Sequence, residues 1–198
     1  MAPTHTDTTR SDTVDLSTYD NSFYKPGPAW KRLLWYAVSV LVFETPVPLP
    51  SRIKAAVLAL FGCEVGLHVT VKPGVKIKYP WFLSIGNNTW LGERCWIDNL
   101  AKVTIGSNVC ISQGALLLTG NHDYAKKTFD LVVAGITLED GVWVGARAVV
   151  CPGRTMRSHA VLSAGSVLTR DAEVHGVYQG NPAVLVRKRA IGGSPDAR

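Results

Sequence analysis

A six-residue rhythm of large apolar side chains is the feature that most constrains how this 198-residue chain can fold. The large residues are Leu138, Val144, Val150, Met156, Leu162, Leu168 and Val174. A period of six fits neither an α-helix, with about 3.6 residues per turn, nor a strand that alternates every two residues. It fits short parallel strands joined by tight corners, in which each large residue faces the interior of a stacked coil.

Two further positions repeat with the same period. Four residues after a large residue the side chain is usually small, as in Val142, Ala148, Ala160, Ser166 and Ala172, whereas Arg154 is the exception. Three residues after it lies a corner position, occupied by Gly141, Arg147, Gly153, His159, Gly165 and Asp171. Gly, Asn and Asp accept the positive φ that a tight corner requires, and His tolerates it. The small residue is therefore expected to pack beside the large one.

The same template extends back to Val65, but it is interrupted once. The early coils repeat at 20 residues, through Val65, Ile85 and Ile105, and the late coils repeat at 18. Ile105 and Leu138 are 33 residues apart, which is 15 more than one late coil. We place this insertion near Thr119 to Gly135. Inserted loops on solenoids often build the binding face, so function is expected here.

Three segments near the interruption resemble a known family. They are Gly120 to Tyr124 (GNHDY), Thr128 to Leu131 (TFDL) and Asp140 to Ala146 (DGVWVGA). Together with the six-residue template, they resemble the hexapeptide-repeat acyltransferases, and among them the colanic acid biosynthesis (WcaF-like) O-acetyltransferases, relatives of galactoside and maltose acetyltransferases. The resemblance covers about Trp30 to Arg189. It implies an all-β fold, a left-handed parallel β-helix with a short N-terminal helical cap and an extended loop insertion. The left hand rests on the resemblance alone, because parallel crossovers are normally right-handed.

The composition limits the partners and the compartment. Hydrophobic residues make up 46% of the chain and charged residues 18%, which favours a globular domain with a core. The net charge of +6 comes from scattered residues without a nucleic-acid motif, so no nucleic-acid partner is expected. The four cysteines (Cys63, Cys95, Cys110 and Cys151) form no C-x-x-C pair, so we expect free thiols and no metal. The polar N-terminus lacks a signal-peptide core, which favours a cytoplasmic location.

Four regions are expected along the chain. Residues 1–22 are predicted to be a disordered tail, residues 23–64 the helical cap, residues 65–175 the β-helix acyltransferase domain, and residues 176–198 a C-terminal cap and tail. Within the first cap, residues 30–43 are predicted to form one helix. Residues 51–61 form a second, capped by Ser51 and carrying Ile53, Val57, Leu58 and Phe61 on one face.

The helix over residues 30–43 has two interpretations. Its apolar run, Leu33 to Phe43, has 11 residues, whereas a membrane span needs about 20. The first interpretation is a helix packed on the base of the β-helix. The second is a surface helix in peripheral contact with the inner face of a membrane, with Lys31 and Arg32 at the headgroups.

His122 is the leading catalytic candidate. Acetyl transfer to a sugar hydroxyl needs a base, and an imidazole titrates near neutral pH. Of the five histidines, His5 lies in the tail, His68 and His159 occupy corner positions, and His175 follows the last repeat. Only His122 lies at the mouth of the insertion, and the resemblance implies that it is the general base. The alternative is an exposed loop histidine.

Substrate-binding candidates lie in the insertion and one coil earlier. Asp123 and Tyr124 follow His122 directly and are assigned to the acceptor. Asp98 and Asn99 lie about one coil before it, and a coil step is only about 4.8 Å, so they could bind sugar hydroxyls or orient the imidazole. The resemblance favours Asn99 as an acceptor contact. A corner Asx turn explains Asn99 equally well.

The cofactor candidates lie on the late coils and on the segment that follows them. They are Trp143, Gly145, Ala146, Ala164, Gly165, Ser166, Thr169, Arg170 and Arg187. Small residues let the backbone approach an extended pantetheine arm, and the two arginines suit phosphates. The resemblance places the co-substrate acetyl-CoA along this face, between two subunits of a homotrimer. The alternative is that the small residues are simply good corner residues.

The resulting prediction is an acetyl-CoA-dependent O-acetyltransferase that acts on a sugar or lipid-linked sugar, in surface polysaccharide biosynthesis. A non-catalytic β-helix scaffold is the first alternative. A γ-type carbonic anhydrase shares the fold but needs three histidines on a metal, and only His122 is well placed. A serine acetyltransferase would require a long helical N-terminal domain, for which the sequence gives no sign.

Overall fold

Three walls of parallel β-strands form a β-helix in the computed structural model, which describes residues 13–192. The first wall contains β1 (Glu64–Val65), β4 (Leu83–Ile85), β7 (Val103–Ile105), β12 (Ile136–Leu138) and β15 (Thr155–Met156). The second contains β2 (Thr70–Val71), β5 (Trp90–Leu91), β8 (Cys110–Ile111), β13 (Trp143–Val144), β16 (Val161–Leu162), β18 (Gly176–Gly180) and β19 (Ala183–Lys188). The third contains β3 (Lys76–Ile77), β6 (Trp96–Asp98), β9 (Leu116–Leu118), β14 (Val149–Val150) and β17 (Val167–Leu168). The predicted stacked coil is confirmed.

The strand register reproduces the predicted spacing of the coils. In the first wall the aligned residues are Val65, Ile85, Ile105, Leu138 and Met156. The aligned steps are therefore 20, 20, 33 and 18 residues long. The long step contains the insertion, because the chain leaves the third wall after β9 and returns to the first wall at β12. Parallel pairing thus skips the inserted residues without a shift in register.

The core consists of the side chains that the template directs inwards. Leu138, Val144 and Leu162 are fully buried, and the small residues Ala148 and Ala160 are fully buried beside them. In β4, Leu83 and Ile85 are both buried while Ser84 between them is not, so burial alternates every two residues within this strand.

The corners follow the predicted pattern with one exception. Five of the six predicted corner residues have positive φ: Gly141, Arg147, Gly153, His159 and Gly165. His68 and His175 also have positive φ, at 57° each. Asp171 is not among the positive-φ residues. Its carboxylate instead accepts a hydrogen bond from the Thr155 backbone N–H at 3.0 Å.

The last large residue of the template does not face inwards. Val174 was expected in the core, but 48% of it is exposed. The next strand of the second wall is β18, which pairs in parallel with β16 and places Tyr178 beside Leu162. β18 also pairs antiparallel with β19. This hairpin closes the late end of the coil and replaces the expected final repeat.

Two helices cover the early end of the coil. They are α1 (Ala29–Val42) and α2 (Ser51–Leu60), each within one residue of its predicted bounds. Trp35 of α1 donates its indole N–H to the Ile77 carbonyl at 2.8 Å. Lys54 of α2 is fully buried, and its Nζ donates to the carbonyls of Val71 and Lys72 at 3.3 and 3.1 Å. The helices therefore satisfy the backbone groups at the edge of the first coil.

Two details of α2 differ from the prediction. Ser51 does not cap the helix, because Pro50 is the N-cap residue and makes no side-chain cap; the Ser51 hydroxyl instead accepts from the Val71 N–H at 3.0 Å. Ile53 was assigned to the buried face but is 45% exposed, whereas Lys54 lies inside. The edge of the coil offers carbonyl groups, so a lysine is the better partner there.

Two general features of the chain are the length of its helices and the state of its thiols. Among the helices of residues 13–192, none is long and apolar enough to cross a membrane. The four cysteines are free, as expected. Burial raises the pKa of the Cys63 and Cys95 thiols to about 12, so both remain protonated at neutral pH.

By their internal contacts, the described residues fall into two compact units. The larger unit contains residues 26–121 and 133–192, and the smaller contains residues 13–25 and 122–132. In the smaller unit a 3-10 helix, Leu16–Thr18, begins after Asp15, whose carboxylate accepts from the Ser17 N–H. The segment predicted as a disordered tail, residues 1–22, thus contains one short helix among its described residues. The expected disorder of residues 1–12 and the frayed end at 193–198 lie outside the described residues.

Candidate active site

The insertion folds as a hairpin of two short strands, β10 (Gly120–His122) and β11 (Leu131–Val133). His122 ends β10, so its side chain stands at the base of the hairpin loop. The Asp123 N–H donates to the Asp130 carbonyl at 2.9 Å and closes the loop. Lys126 Nζ lies 2.9 Å from an Asp130 carboxylate oxygen, and hydrogen bonds from Thr128 and Lys126 hold the pKa of Asp130 below its usual value.

One residue across the loop orients the His122 imidazole. The Nδ1 atom lies 2.9 Å from the Phe129 carbonyl oxygen. The Phe129 ring stacks on the imidazole, with centroids 4.3 Å apart and planes 8° apart. Phe129 has a φ of 51°, and this left-handed conformation is part of the loop geometry that presents its carbonyl.

The Phe129 contact determines which imidazole nitrogen is basic. A carbonyl oxygen only accepts hydrogen bonds, so Nδ1 must carry the proton when the bond forms. In the neutral ring the lone pair is then on Nε2. The arrangement resembles the way a buried acceptor sets the tautomer of a catalytic histidine. The His122 side chain can therefore act as a base through Nε2.

The N-terminal segment contributes a residue that sequence analysis missed. The Tyr19 ring lies 5.8 Å from the His122 ring, at an angle of 55°. The Asp15 N–H donates to the Lys127 carbonyl at 2.9 Å, which ties the segment to the hairpin loop. The segment was expected to be disordered because it is polar. Its apolar Leu16 and the aromatic Tyr19 were too few to predict packing.

Of the other predicted residues of the insertion, Tyr124 is exposed and Asp123 is half-buried. Tyr124 is 82% exposed and has its side chain in solvent. The Asp123 carboxylate accepts from the Ala125 N–H at 3.1 Å and lies 4.0 Å from Lys126 Nζ. Both residues adjoin His122 in sequence and belong to the same unit.

Asp98 ends β6 in the larger unit, and Asn99 follows it. Asp98 is 8% exposed. Its buried Oδ1 forms an ion pair with Lys78 Nζ at 3.2 Å, but the geometry is not that of a hydrogen bond. Asn99 is fully buried. Its Oδ1 accepts from the N–H groups of Lys78 and Tyr79 at 3.1 and 3.0 Å, and its Nδ2 donates to the Tyr79 carbonyl at 2.6 Å. The Asn99 amide therefore holds the corner of the preceding coil.

The cofactor candidates of the second wall combine an exposed indole with close backbone approach. Trp143 is 46% exposed, and its indole N–H donates to Ser112 Oγ at 2.9 Å. At Gly145 an added Cβ would lie 2.5 Å from the Ala164 nitrogen, so only glycine fits there. The Gly165 N–H donates to the Ala146 carbonyl at 2.8 Å.

The remaining cofactor candidates divide into buried and exposed residues. Ser166 is buried, and its Oγ accepts from the Gly180 N–H at 3.0 Å, so it supports the final hairpin. Ala164, Thr169, Arg170 and Arg187 are exposed. Arg187 lies on β19 opposite Val177. Arg154, whose role the sequence left open, points outwards and donates to the Thr169 carbonyl at 3.4 Å.

The second wall has a groove near Trp143. It has a volume of about 360 Å³ and is lined by Trp90, Cys110, Ser112 and their neighbours. Trp90 is 58% exposed, and the Cys110 position is aligned with both Trp90 and Trp143 in the sheet. Exposed indoles along one wall provide a flat apolar surface for a ligand or a partner subunit.

Metal-binding groups do not assemble in the described part of the chain. Within residues 13–192 no three His, Cys, Asp or Glu side chains are placed so that they could hold a metal ion. The His159 and His175 rings, at the late corners, stack on each other at 4.9 Å.

Known proteins share this architecture. A family model described as the hexapeptide repeat of succinyl-transferase matches residues 135–170. The putative colanic acid biosynthesis acetyltransferase WcaF of Escherichia coli (strain K12) is 35% identical over 166 residues, covering 84% of this chain and 91% of that protein. The galactoside O-acetyltransferase of the same strain is 32% identical over 153 residues, covering 75% of each. A solved structure of galactoside acetyltransferase in complex with coenzyme A matches with a TM-score of 0.72 at 26% identity, covering 80% of each chain.

The sequence similarity extends over nearly the whole of the WcaF relative and includes the hairpin that carries His122. The fold agrees, because the stacked coils superpose on the solved galactoside acetyltransferase with a TM-score of 0.72. The chain belongs to the hexapeptide-repeat acetyltransferases and is an acyltransferase.

Proposed function

We propose that this acetyltransferase moves an acetyl group from acetyl-CoA to a hydroxyl group of a sugar, with His122 as the general base. The hydrogen bond between His122 Nδ1 and the Phe129 carbonyl carries the proposal, because it leaves the basic lone pair on Nε2. The names of the relatives support a sugar acceptor, since one of them is a galactoside O-acetyltransferase. The colanic acid name of another supports a role in surface polysaccharide biosynthesis.

In the proposed reaction Nε2 of His122 takes the proton of the acceptor hydroxyl while the oxygen attacks the acetyl carbonyl. The new C–O bond forms, the C–S bond of the thioester breaks, and the imidazolium returns its proton to the leaving thiolate. No net proton is gained or lost by the enzyme. Acetyl-CoA supplies the activated acyl group. Stacking on Phe129 keeps the His122 ring in one orientation during both proton transfers.

Three residues with polar side chains are proposed to contact the acceptor. Asp123 and Tyr124 are on the loop that begins at His122, and both have polar groups available to sugar hydroxyls. Asp98 offers a carboxylate balanced by Lys78. We assign Asn99 to holding the Tyr79 corner that flanks Asp98, because each of its amide atoms is engaged with backbone. The acceptor is a free or a lipid-linked sugar.

The late coils are the proposed acetyl-CoA site. The residues fit an extended thioester ligand, because Trp143 offers an exposed indole and Ala164 is small and exposed. Arg170 and Arg187 are exposed cations suited to phosphates. The exposed Trp90 and Trp143 on the second wall support a further subunit at this face, and we propose a homotrimer in the cytoplasm. Sedimentation equilibrium of the full chain tests the trimer.

Thiol release from acetyl-CoA in the presence of single acceptors tests the function. The panel contains free glycosides, nucleotide sugars and lipid-linked sugars. We expect acceptor-dependent thiol release with at least one of these classes and none with the His122→Ala variant. If calorimetry shows no binding of acetyl-CoA, the chain is a scaffold and the proposal is wrong. If acetyl-CoA binds but no sugar accepts the acetyl group, only the sugar assignment is wrong.

A further inference from the structure

The helix α1 has two apolar faces, and the fold uses only one of them. The inner face packs on the cap, where Trp35 is 2% exposed and Phe43, the C-cap residue, is fully buried. The outer face presents large apolar side chains to solvent: Trp30 (67% exposed), Leu33 (70%), Leu34 (50%), Tyr36 (70%), Val40 (42%) and Leu41 (72%). Six such residues on one helix form a contiguous patch, which marks an interaction surface rather than scattered exposure.

The charges of α1 indicate what this outer face contacts. Lys31 and Arg32 are its only charged residues, and both lie in the first turn. The N-terminus of a helix carries partial positive charge, so cations are disfavoured there unless an external anion compensates. Lys31 lies on the side of Trp35, with its Nζ 4.6 Å from the centre of the Trp81 ring, so Arg32 is the exposed cation beside the outer face. An exposed cation at the edge of an apolar stripe matches the surface of an anionic bilayer.

The length of α1 and its aromatic residues fit a helix lying in the membrane plane. Fourteen residues are about 21 Å long, which is shorter than the hydrocarbon core. Trp30 and Tyr36 combine an apolar ring with a polar N–H or O–H, and such side chains favour the boundary between lipid and water. The inner face of α1 remains attached to the cap through the Trp35 to Ile77 hydrogen bond. The helix can therefore rest on lipid without leaving the protein.

A second copy of the chain fits the outer face less well. The α1 sequence contains no Asp or Glu, so another α1 offers no carboxylate to Lys31 or Arg32. The acyl region of a bilayer accepts the whole stripe at once, and its anionic headgroups accept Arg32. Charge complementarity thus favours lipid over self-association.

We propose that the outer face of α1, from Trp30 to Leu41, binds the surface of an anionic membrane. The helix lies parallel to the bilayer, with Leu33 and Leu41 in the acyl boundary and Arg32 at the headgroups. This interaction is independent of the acetyl-transfer reaction proposed above, because it involves neither His122 nor the late coils.

Vesicle co-sedimentation of the full-length chain tests the proposal. We expect binding to vesicles of equal parts phosphatidylglycerol and phosphatidylcholine, and much weaker binding to phosphatidylcholine alone. Leu41→Glu should lower the affinity at least about tenfold, because an apolar side chain is replaced by a repelled charge. Arg32→Gln should lower it by about fivefold, and only with the anionic vesicles. Ile191→Glu adds the same charge at a residue that is 58% exposed elsewhere, and should leave binding unchanged.

Two outcomes would overturn the proposal. The first is that the unmodified chain does not bind anionic vesicles, or that Leu41→Glu binds them equally well. The second is that Leu41→Glu changes the oligomeric state in sedimentation while vesicle binding is absent, which would assign the face to a second copy. Circular dichroism melts accompany each variant, and Leu33→Gln serves as an uncharged second substitution should Leu41→Glu unfold.

Discussion

His122 and Phe129 are coupled twice, by a 2.9 Å hydrogen bond from Nδ1 to the Phe129 carbonyl and by ring stacking at 4.3 Å. The backbone of one residue selects the imidazole tautomer, and the side chain of the same residue fixes the ring plane. The hydrogen bond from the Asp123 N–H to the Asp130 carbonyl holds the two sides of the loop together. Contacts within the hairpin therefore orient the imidazole and leave Nε2 as its basic nitrogen.

His122→Ala is expected to lower acetyl transfer by roughly 100- to 10,000-fold, the range typical for loss of a general base. The melting temperature should change little, because the half-buried side chain belongs to the inserted hairpin rather than to the coil core. Steady-state thiol release and a thermal melt measure the two effects. His68→Asn is the matched control, since Asn also accepts the positive φ of 57° at that corner. Normal turnover by His122→Ala would remove the catalytic assignment.

Lys54→Ala should destabilise the fold by about 2–4 kcal/mol, because it leaves a cavity and two unpaired carbonyls at the coil edge. Lys54→Met keeps the apolar stem and removes only the ammonium, so a smaller loss of about 1–2 kcal/mol is expected. Urea unfolding of the three chains gives these differences. A Lys54→Met variant more stable than the original chain would show that desolvation outweighs the hydrogen bonds.

The pH dependence of stability provides a separate test of Lys54. Burial lowers the pKa of its ammonium below the ordinary 10.5. Between the folded and unfolded pKa values the unfolded chain binds more protons, so the free energy of unfolding rises with pH across that window. Relative to Lys54→Met, the original chain should therefore gain stability as the pH is raised from neutral towards 10.5. A difference that stays flat with pH would mean that the folded-state pKa is not lowered.

Gly145→Ala and Gly165→Ala separate a steric clash from backbone strain. At Gly145 the new Cβ would meet backbone atoms of the next coil at 2.5 and 2.7 Å, so we expect a loss of about 2–4 kcal/mol and weaker acetyl-CoA binding. At Gly165 the φ of 69° is unfavourable for alanine, but nothing lies within 4 Å, so a loss of about 1–2 kcal/mol is expected. Chemical denaturation and calorimetry measure both. Equal losses at the two positions would contradict the steric explanation.

Arg187→Ala is expected to weaken acetyl-CoA binding about tenfold by removing a charged contact to phosphate. Lys188→Ala is the matched control on the same strand, because Lys188 pairs with Glu173 at 2.8 Å. Isothermal titration calorimetry at low salt compares the affinities. Unchanged affinity for Arg187→Ala would argue against a phosphate contact at that residue.

The template predicted the walls and most corners but failed where the coil ends. Val174 followed the six-residue period yet is exposed, because β18 pairs with β16 and brings Tyr178 to that position instead. Ser51 and Ile53 were misassigned for a related reason, since Lys54 lies inside instead of Ile53. Helix patterns rank Lys as polar and exposed, and they contain no information about the carbonyl groups at the edge of another element.

The candidate site was predictable only in part. His122 could be found because it interrupts a strict rhythm, but its orientation depends on Phe129, whose positive φ has no sequence signal. Tyr19, more than a hundred residues earlier, approaches the same ring from a segment expected to be disordered. Asn99 was a candidate ligand by its position, and only its three hydrogen bonds show that it supports a corner.

The sequence by itself determined the coil, its 18- and 20-residue steps and the place of the insertion, because a stacked fold repeats the same local environment at a fixed spacing. Tertiary structure alone decided which polar groups are engaged at the coil edge, which imidazole nitrogen is basic, and which face of α1 remains uncovered. These properties arise from contacts between residues far apart in the chain. A repeat period in the sequence carries no information about such contacts. They are seen only in the burial and the hydrogen-bond geometry of the folded chain.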